Sequence, residues 1–468
     1  MKTLKINYKI WISTLVITIG MVTSSCKKFV DVDPPSNQLV TATVFTSDNT
    51  VKSALAGMYV TFAITNSYDT EFSLSFVTGN SADETQYFTS VADFDPFVQD
   101  ALQTDNSYCL SMWSSLYKSI YQANAIITGV NNSTGGISDA LKAEAIGEAK
   151  FMRALCYFYL TNLWGDVPLA LTTDQKVNNQ LTRSSKALVY QQISKDLTDA
   201  KNTLLADYSF TSSQRTRPNK YAAIALLARL NLYNKDWPNA ETNAGTLIGA
   251  SSLYSLLNAS ALSGIFAKNN TEAILQFDNA NSSDYTTEGQ YYAFDNTTIP
   301  DFQLTSNLVN AFETGDRRFT SWVGVSNYQG ANYYYLSKYK NTANNTIAGG
   351  EYCTYMRLAE QYLIRAEARA QQNNLGGAIA DINVIRSRAG LTGTTAVTQA
   401  NILLAIEQER RIELFGEYSH RWNDLRRTGR ADAVLGAAKS GWKANAALYP
   451  IPKTEIQNNN NLTQNSGY

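Results

Sequence analysis

From Asp139 to Leu163 the apolar residues Leu141, Ala145, Ala149, Met152, Cys156, Tyr159 and Leu163 recur at spacings of 3 and 4. That spacing is one face of an α-helix. Gly165 and Pro168, in LWGDVPL, mark its end. Tyr108 to Val130 has a helical face made of Trp113, Leu116, Tyr117, Ile120 and Ala123, and GVNNSTGG joins the two. Further on, SSKALVYQQISKDLTDAKNTL puts Val189, Ile193, Leu197, Ala200 and Leu204 on one side and mostly polar residues on the other. This third helix is expected to have a solvated face.

Two later stretches share one layout. In YAAIALLARLNLYNKDWPNAETNAGTLI a helix rich in Ala and Leu ends near Tyr233, and Pro238 suits the first turn of the next. In YLIRAEARAQQNNLGGAIADINVIRSRAG the same arrangement returns. Ala228 and Ala240 are 12 apart, as are Ala366 and Ala378, and Ala244 with Leu247 matches Ile382 with Ile385. Small residues at that separation fit two antiparallel helices crossing closely, as in a tetratricopeptide-like pair. Helix pairs near 108–163 and 400–428 raise the expected number to about four. Long insertions separate the pairs, so one compact body is expected, not an open solenoid.

The pattern changes in 251–352. FDNANSSDYTTEGQYYAFDNTT and GVSNYQGANYYYLSKY have little helical period, apart from a short piece around Leu304 to Phe312. Residues 64–106 are similar, so both regions are read as short strands and long loops. Loops of this length on a rigid scaffold usually carry function.

The N-terminus has its own pattern. Lys2, Lys5 and Lys9 precede a mostly apolar run from Ile10 to Val22. A basic flank and roughly 7–15 apolar residues make a signal peptide, and about 20 would be needed to span a bilayer. Ser24 and Ser25 stand before Cys26, which suits a bacterial lipoprotein box, although Thr23 occupies a position often held by Leu. Residues 1–25 are then a leader, and Cys26 carries the lipid. The alternative is ordinary secretion with Cys26 a bystander. One acyl chain binds membranes only marginally and several hold firmly. Pro34 and Pro35 make 26–40 a tether rather than regular structure.

Composition narrows the function. The formal net charge is −1 and no basic stripe appears, which argues against nucleic acid. Charged residues are only 17% while Tyr occurs 28 times, a surface suited to polar, uncharged ligands. Cys109, Cys156 and Cys353 remain beside Cys26, an odd number without close spacing, so no disulfide framework is expected. Cys156, in ALCYFYL, reads as a small buried hydrophobe. His420 is the only histidine, which leaves no HExxH, no histidine-rich metal cluster and no second choice for a Ser–His–Asp set. GxSxG and GxxxxGK[ST] are absent, and no carboxylate pair stands out for glycoside cleavage. No catalytic residue, metal ligand or cofactor is assigned.

In order along the chain stand CKKFVDVDPP, VKSALAGMYV, GNSADE, MWSSLYKSIYQANAII, GEAKFMRALCYFYLTNLWGDVPL, ALLARLNLYNKDWPNAETNA, YLIRAEARAQ, ERRIELFGEYSHRWNDLRRTGR and LYPIPKTEIQNNNNLTQNSGY. Together they resemble the SusD/RagB family, surface nutrient-binding lipoproteins of Bacteroidetes, over nearly the whole chain after residue 25. Ser466 is a small departure, where the family often has Pro before the final Gly-Tyr. The resemblance implies a mainly α, SusD-like fold of about four tetratricopeptide-like helix pairs supporting a loop-rich ligand face with short strands. It places one body over 41–468, with an N-terminal helical part to 250, a loop-rich insertion at 251–352 and a C-terminal helical part from 353. It implies an outer-membrane location facing the cell exterior. The implied partner is a SusC-like, TonB-dependent barrel over which the lipoprotein sits as a lid. Typical ligands are oligosaccharides held without cleavage. Some relatives bind peptides, so the ligand class stays open, and a surface-anchored glycan hydrolase is disfavoured by the missing signatures.

A sugar ring has an apolar face and a rim of hydroxyls. Tyr and Trp offer flat apolar bodies with a polar tip, and amides fix hydroxyl orientation. The candidate ligand residues are therefore Asn80, Asp83, Tyr87 and Phe88 from the early loops, and Tyr285, Tyr291, Trp322, Tyr333 and Tyr334 from the later ones. Trp113, Trp164, Trp237 and Trp422 lie in helical or helix-end motifs and are assigned to packing. Asp83 and Glu84 fall short of the roughly six to eight oxygens that Ca²⁺ takes. Glu413, Glu417, Arg421, Asp424 and Arg427 stand at spacings of 3 and 4, which reads as a structural ion-pair network along one helix face.

Overall fold

Side-chain caps start most of the long helices where the sequence pattern begins. The computed structural model describes residues 44–63, 73–279, 284–292, 298–343, 346 and 349–468. Cys26 and the tether lie outside the described residues. Phe45–Tyr468 forms one compact unit. Its main helices are α1 (Asp48–Ala63), α2 (Ser107–Asn131), α3 (Asp139–Trp164), α4 (Lys186–Thr203), α5 (Lys220–Tyr233), α6 (Trp237–Gly249), α7 (Leu358–Gln371), α8 (Leu375–Arg388), α9 (Gln399–Leu414) and α10 (His420–Arg427). Asn106, Asn219, Asp236 and Asn374 each accept a backbone N–H in the first turn, at 3.0, 3.0, 3.3 and 3.1 Å. Each such cap satisfies one of the donors a helix start leaves open. Gly165, at φ 81°, ends α3 in a conformation that favours glycine.

The pairs α2–α3, α5–α6 and α7–α8 pack as helical hairpins, and α4, α9 and α10 continue the array. Ala228, Ala240, Ala366 and Ala378 are all fully buried at the crossings. The repeat extends into the turns. Lys235 and Asn373 each follow the first alanine of their pair by seven residues, and both have positive φ, 60° and 62°. Arg229 donates twice to Glu360, at 2.6 and 2.6 Å, and ties α5 to α7 in the core. Trp113, Trp164 and Trp422 are buried in one large apolar cluster, whereas Trp237 is half-buried at its margin.

Strands are few and short, and pair in twos. β1 (Thr85–Tyr87) runs antiparallel to β3 (Phe302–Leu304), with Gln86 opposite Gln303. β2 (Ala273–Phe277) pairs with β6 (Cys353–Arg357), which leads directly into α7. β4 (Val323–Tyr328) and β5 (Ala331–Leu336) form a hairpin closed by Gln329 and Gly330, both at positive φ (52° and 82°). Positive φ at both central positions matches the twist of the flanking strands. The stretch Leu304 to Phe312, expected as a short helix, holds one turn, Ser306–Val309, after the end of β3.

The acid–base set in the C-terminal part is a network, but not along one helix. The chain leaves the helix after Leu414, and Gly416, Tyr418 and Ser419 all have positive φ (66°, 25° and 63°) before α10 begins. Glu413 therefore bonds Arg318, Arg357 and Arg388, Glu417 bonds Lys338 and Arg357, and Arg427 bonds Glu367. Of the expected local pairs, Asp424–Arg427 forms, at 2.7 Å. His420 is buried, and burial together with the cations around it holds its imidazole well below the usual range, so it stays neutral. Cys109, Cys156 and Cys353 are buried thiols, and none of them forms a disulfide among the described residues.

Candidate functional site

A π-helical turn, Ser73–Val77, runs into the helical turn Thr78–Ser81 and delivers GNSADE to the edge of the β1–β3 ribbon. Gly79 is needed there, because a Cβ at that position would stand 2.8 Å from Thr85 Oγ1. The Thr85 hydroxyl donates to Asn80 Oδ1 at 2.8 Å, and Lys439 Nζ donates to the carbonyls of Asn80 and Ser81 at 2.6 and 2.7 Å. Thr305 locks the far side, its hydroxyl donating to Asp83 O at 2.6 Å and its N–H to Glu84 O at 2.9 Å. β5 lies alongside β3 and completes the wall.

Between these pieces lies a cleft of about 550 Å³. Asn80, Asp83, Gln86, Gln303, Asn307, Asn310, Asn332, Tyr333, Tyr334 and Lys439 line it. Its size falls within the range of small-molecule sites. Asn80 is fully buried, and its Nδ2 meets no acceptor on the protein. A buried donor left without a partner is costly, so this amide is available to a ligand acceptor. Phe88, 49% exposed, stands edge-on to Tyr333 with ring centroids 6.2 Å apart.

The two charged groups on the wall are already engaged. Asp83 accepts from Arg421 Nε at 2.8 Å and from Arg411 Nη2 at 2.5 Å. Burial opposes its ionisation, but those two guanidiniums hold it below the usual carboxylate range. Lys439 is salt-bridged to Asp100 at 3.1 Å. What remains for a ligand is amides, hydroxyls and rings. Glu84, beside Asp83, is pushed up to about 8 by burial and then by the Asp83 charge. Asp83 and Glu84 thus offer little to a cation, and among the described residues no group of three or more His, Cys, Asp or Glu could hold a metal.

Glu84 gives a pH prediction. Its carboxyl is neutral in the fold and ionises in the unfolded chain above the ordinary value of 4.5. Its contribution is therefore fully present below pH 4.5 and is lost as pH rises towards 8. Glu84→Gln should match the wild type in acid and exceed it at pH 8 by about 1–3 kcal/mol. Urea denaturation across that range checks this, and parallel stability curves would refute it.

Asn80, Asp83, Tyr333 and Tyr334 share the cleft, and Phe88 reaches its edge. Tyr87 packs in an aromatic group around Phe302, at 5.0 Å, and Tyr291 joins it at 5.7 Å while staying 37% exposed. Tyr285 is half-buried and does not line the cleft. Trp322 must be moved to the core. It is fully buried, its indole N–H donates to Leu262 O at 2.8 Å and Lys338 Nζ stands 4.8 Å from its ring centroid, so no face is open to a ligand. The amides Gln86, Gln303, Asn307, Asn310 and Asn332 and the ammonium of Lys439 were missed. The repeated Asn of SNLVN and the Asn of GANYYY were the signal for some of them; Lys439 had none.

Helix hairpins carrying an amide- and ring-lined cleft define a binding scaffold. Residues 28–232 match the SusD-like family described as starch-binding associating with outer membrane, and residues 322–468 match the SusD family. The chain belongs to the SusD/RagB family of Bacteroidetes, whose members are non-catalytic binding proteins. It is 26% identical to SusD-like protein P25 of Formosa agariphila over 536 aligned positions, covering 98% of this chain and 99% of that protein. A SusD superfamily protein from Bacteroides vulgatus superposes with a TM-score of 0.81 at 22% identity, over 91% of this chain and 100% of the other. A laminarin binding SusD-like protein superposes with a TM-score of 0.75 at 24% identity, over 91% and 100%. Among the described residues no helix is long and apolar enough to cross a membrane.

Proposed function

We propose that this protein captures neutral oligosaccharides in the Tyr333–Tyr334 cleft, without cleaving them, and passes them to a SusC-like, TonB-dependent outer-membrane barrel. The observation that carries the reading is the cleft wall: neutral amides and tyrosine rings around Asn80 Nδ2, with Asp83 and Lys439 held in internal ion pairs. Hydroxyls need donors and acceptors, and ring faces need flat apolar partners. The starch-binding description of the matched family and the laminarin binding of a similar structure support a glycan ligand. The MVTSSC sequence and the outer-membrane association of the family support anchoring through a lipidated Cys26. Intact-mass spectra of native protein test the anchor, and an unmodified thiol would remove it.

Calorimetry with starch and laminarin oligosaccharides, and with peptides as the contrast, tests the ligand. Glycans should bind with little dependence on salt, because no free charge faces the cleft. Tyr333→Ala should weaken that binding about tenfold with an unchanged melting temperature, since a ring contact contributes on the order of 1 kcal/mol. Binding of peptides alone, or release of shortened glycans by the purified protein, would overturn the proposal. Co-purification of a barrel protein with the tagged chain from native membranes tests the partner.

A further inference from the structure

A second cavity, of about 540 Å³, opens between the α5–α6 turn, α7, α9 and α10, away from the glycan cleft. Arg410 forms part of its wall and is only 2% exposed. Its Nε donates to Asp424 Oδ2 at 2.7 Å, but Nη1 and Nη2 meet no acceptor on the protein. The three carboxylates on the wall are already committed. Asp424 also holds Arg427 at 2.7 Å, Glu367 holds Arg427 at 2.6 Å, and Glu407 holds Arg430 at 3.0 Å. The lining counts four cations, Lys235, Arg410, Arg427 and Arg430, against those three acids, a surplus of one positive charge. The rest is largely apolar, with Leu232, Leu403, Leu404 and the half-buried Trp237.

We propose that this cavity binds a small organic monocarboxylate with an apolar body, its two oxygens taking the Nη1 and Nη2 donors of Arg410. The planar guanidinium edge matches a carboxylate, and such charge-assisted pairs are stronger than neutral hydrogen bonds. A surplus of one charge favours a monoanion over a phosphate dianion. The apolar wall takes the chain, as in other ligand cavities. This site is independent of the glycan reading, and either can fail without the other.

Hexanoate, hexanamide and inorganic phosphate are titrated into the purified chain by calorimetry, with a starch oligosaccharide titrated alongside. Hexanoate should bind saturably, hexanamide at least tenfold more weakly, and phosphate more weakly than hexanoate. Arg410→Gln should lose hexanoate binding at least tenfold. Leu404→Glu, at a position already 50% exposed, should do the same while keeping the wild-type melting temperature. If Arg410→Gln does not fold, Leu404→Glu decides. Absence of saturation, equal binding of the amide, tighter binding of phosphate, or unchanged hexanoate affinity in folded Leu404→Glu would each overturn the proposal. Any change in glycan affinity on adding hexanoate would overturn its independence.

Discussion

Replacing Glu413 with alanine is expected to lower the unfolding free energy by about 3–5 kcal/mol, the usual cost of removing one partner from a buried ion network. The carboxylate is fully buried and accepts from three guanidiniums, Arg318 at 3.0 Å, Arg357 at 2.5 Å and Arg388. Around it Arg318, Lys338, Arg357, Arg386 and Arg388 face Asp316, Glu272, Glu409, Glu413 and Glu417. Arg386 also pairs with the part-exposed Glu313 at 2.6 Å, at the margin of the network. Losing Glu413 takes a shared acceptor from three buried guanidiniums that water does not replace. Burial opposes ionisation of Glu413, yet Arg388, Arg357 and Arg318 hold its carboxyl well below the usual range. A depressed folded value gives stability that is present above the unfolded value of 4.5 and lost as pH falls through the folded one. Urea denaturation of the wild type, Glu413→Ala and Glu413→Gln at neutral and acid pH measures this. Both variants should lose stability at neutral pH, and the wild-type margin should shrink in strong acid. A neutral-pH loss under about 1 kcal/mol would show that the network does not hold the C-terminal part together.

Arg421→Ala is expected to cost about 3 kcal/mol for the same reason, at a different junction. Arg421 donates to Asp83 at 2.8 Å and lies 3.5 Å from Glu407, joining α10 to the GNSADE segment and to α9. Without it, the buried Asp83 keeps Arg411 alone among its guanidiniums. Asp83 O also anchors Thr305, so loosening this segment disturbs the cleft wall. Glycan affinity should therefore fall together with melting temperature. A variant with wild-type stability and only its affinity lost would contradict the structural role and make Arg421 a ligand contact.

These two residues show where sequence reading stopped. Glu413, Glu417, Arg421, Asp424 and Arg427 are visible as an acid–base set, because their spacing is local. Their partners are not, because Arg318, Arg357, Arg388 and Asp83 lie far away in the chain and arrive only through the fold. A spacing rule also presumes a continuous helix, and Gly416 to Ser419 breaks it. Tyr333 and Tyr334 were legible as aromatics in a loop-rich region, yet so was Trp322. Its position at the end of a short helix, under Leu262, hides it, while the hairpin puts the two tyrosines in the cleft.

By itself the sequence determined the helical hairpins and the repeat, since 3.6-residue periodicity, glycine and proline breakers and small crossing alanines act over one or two turns. It also determined the family, through motifs kept in order. The tertiary structure alone decided which buried charges meet, which aromatics face solvent and which amides gather around Asn80. Those depend on contacts between residues tens to hundreds of positions apart, and the energy of a buried charge or an open ring is set by its neighbours in space, not along the chain.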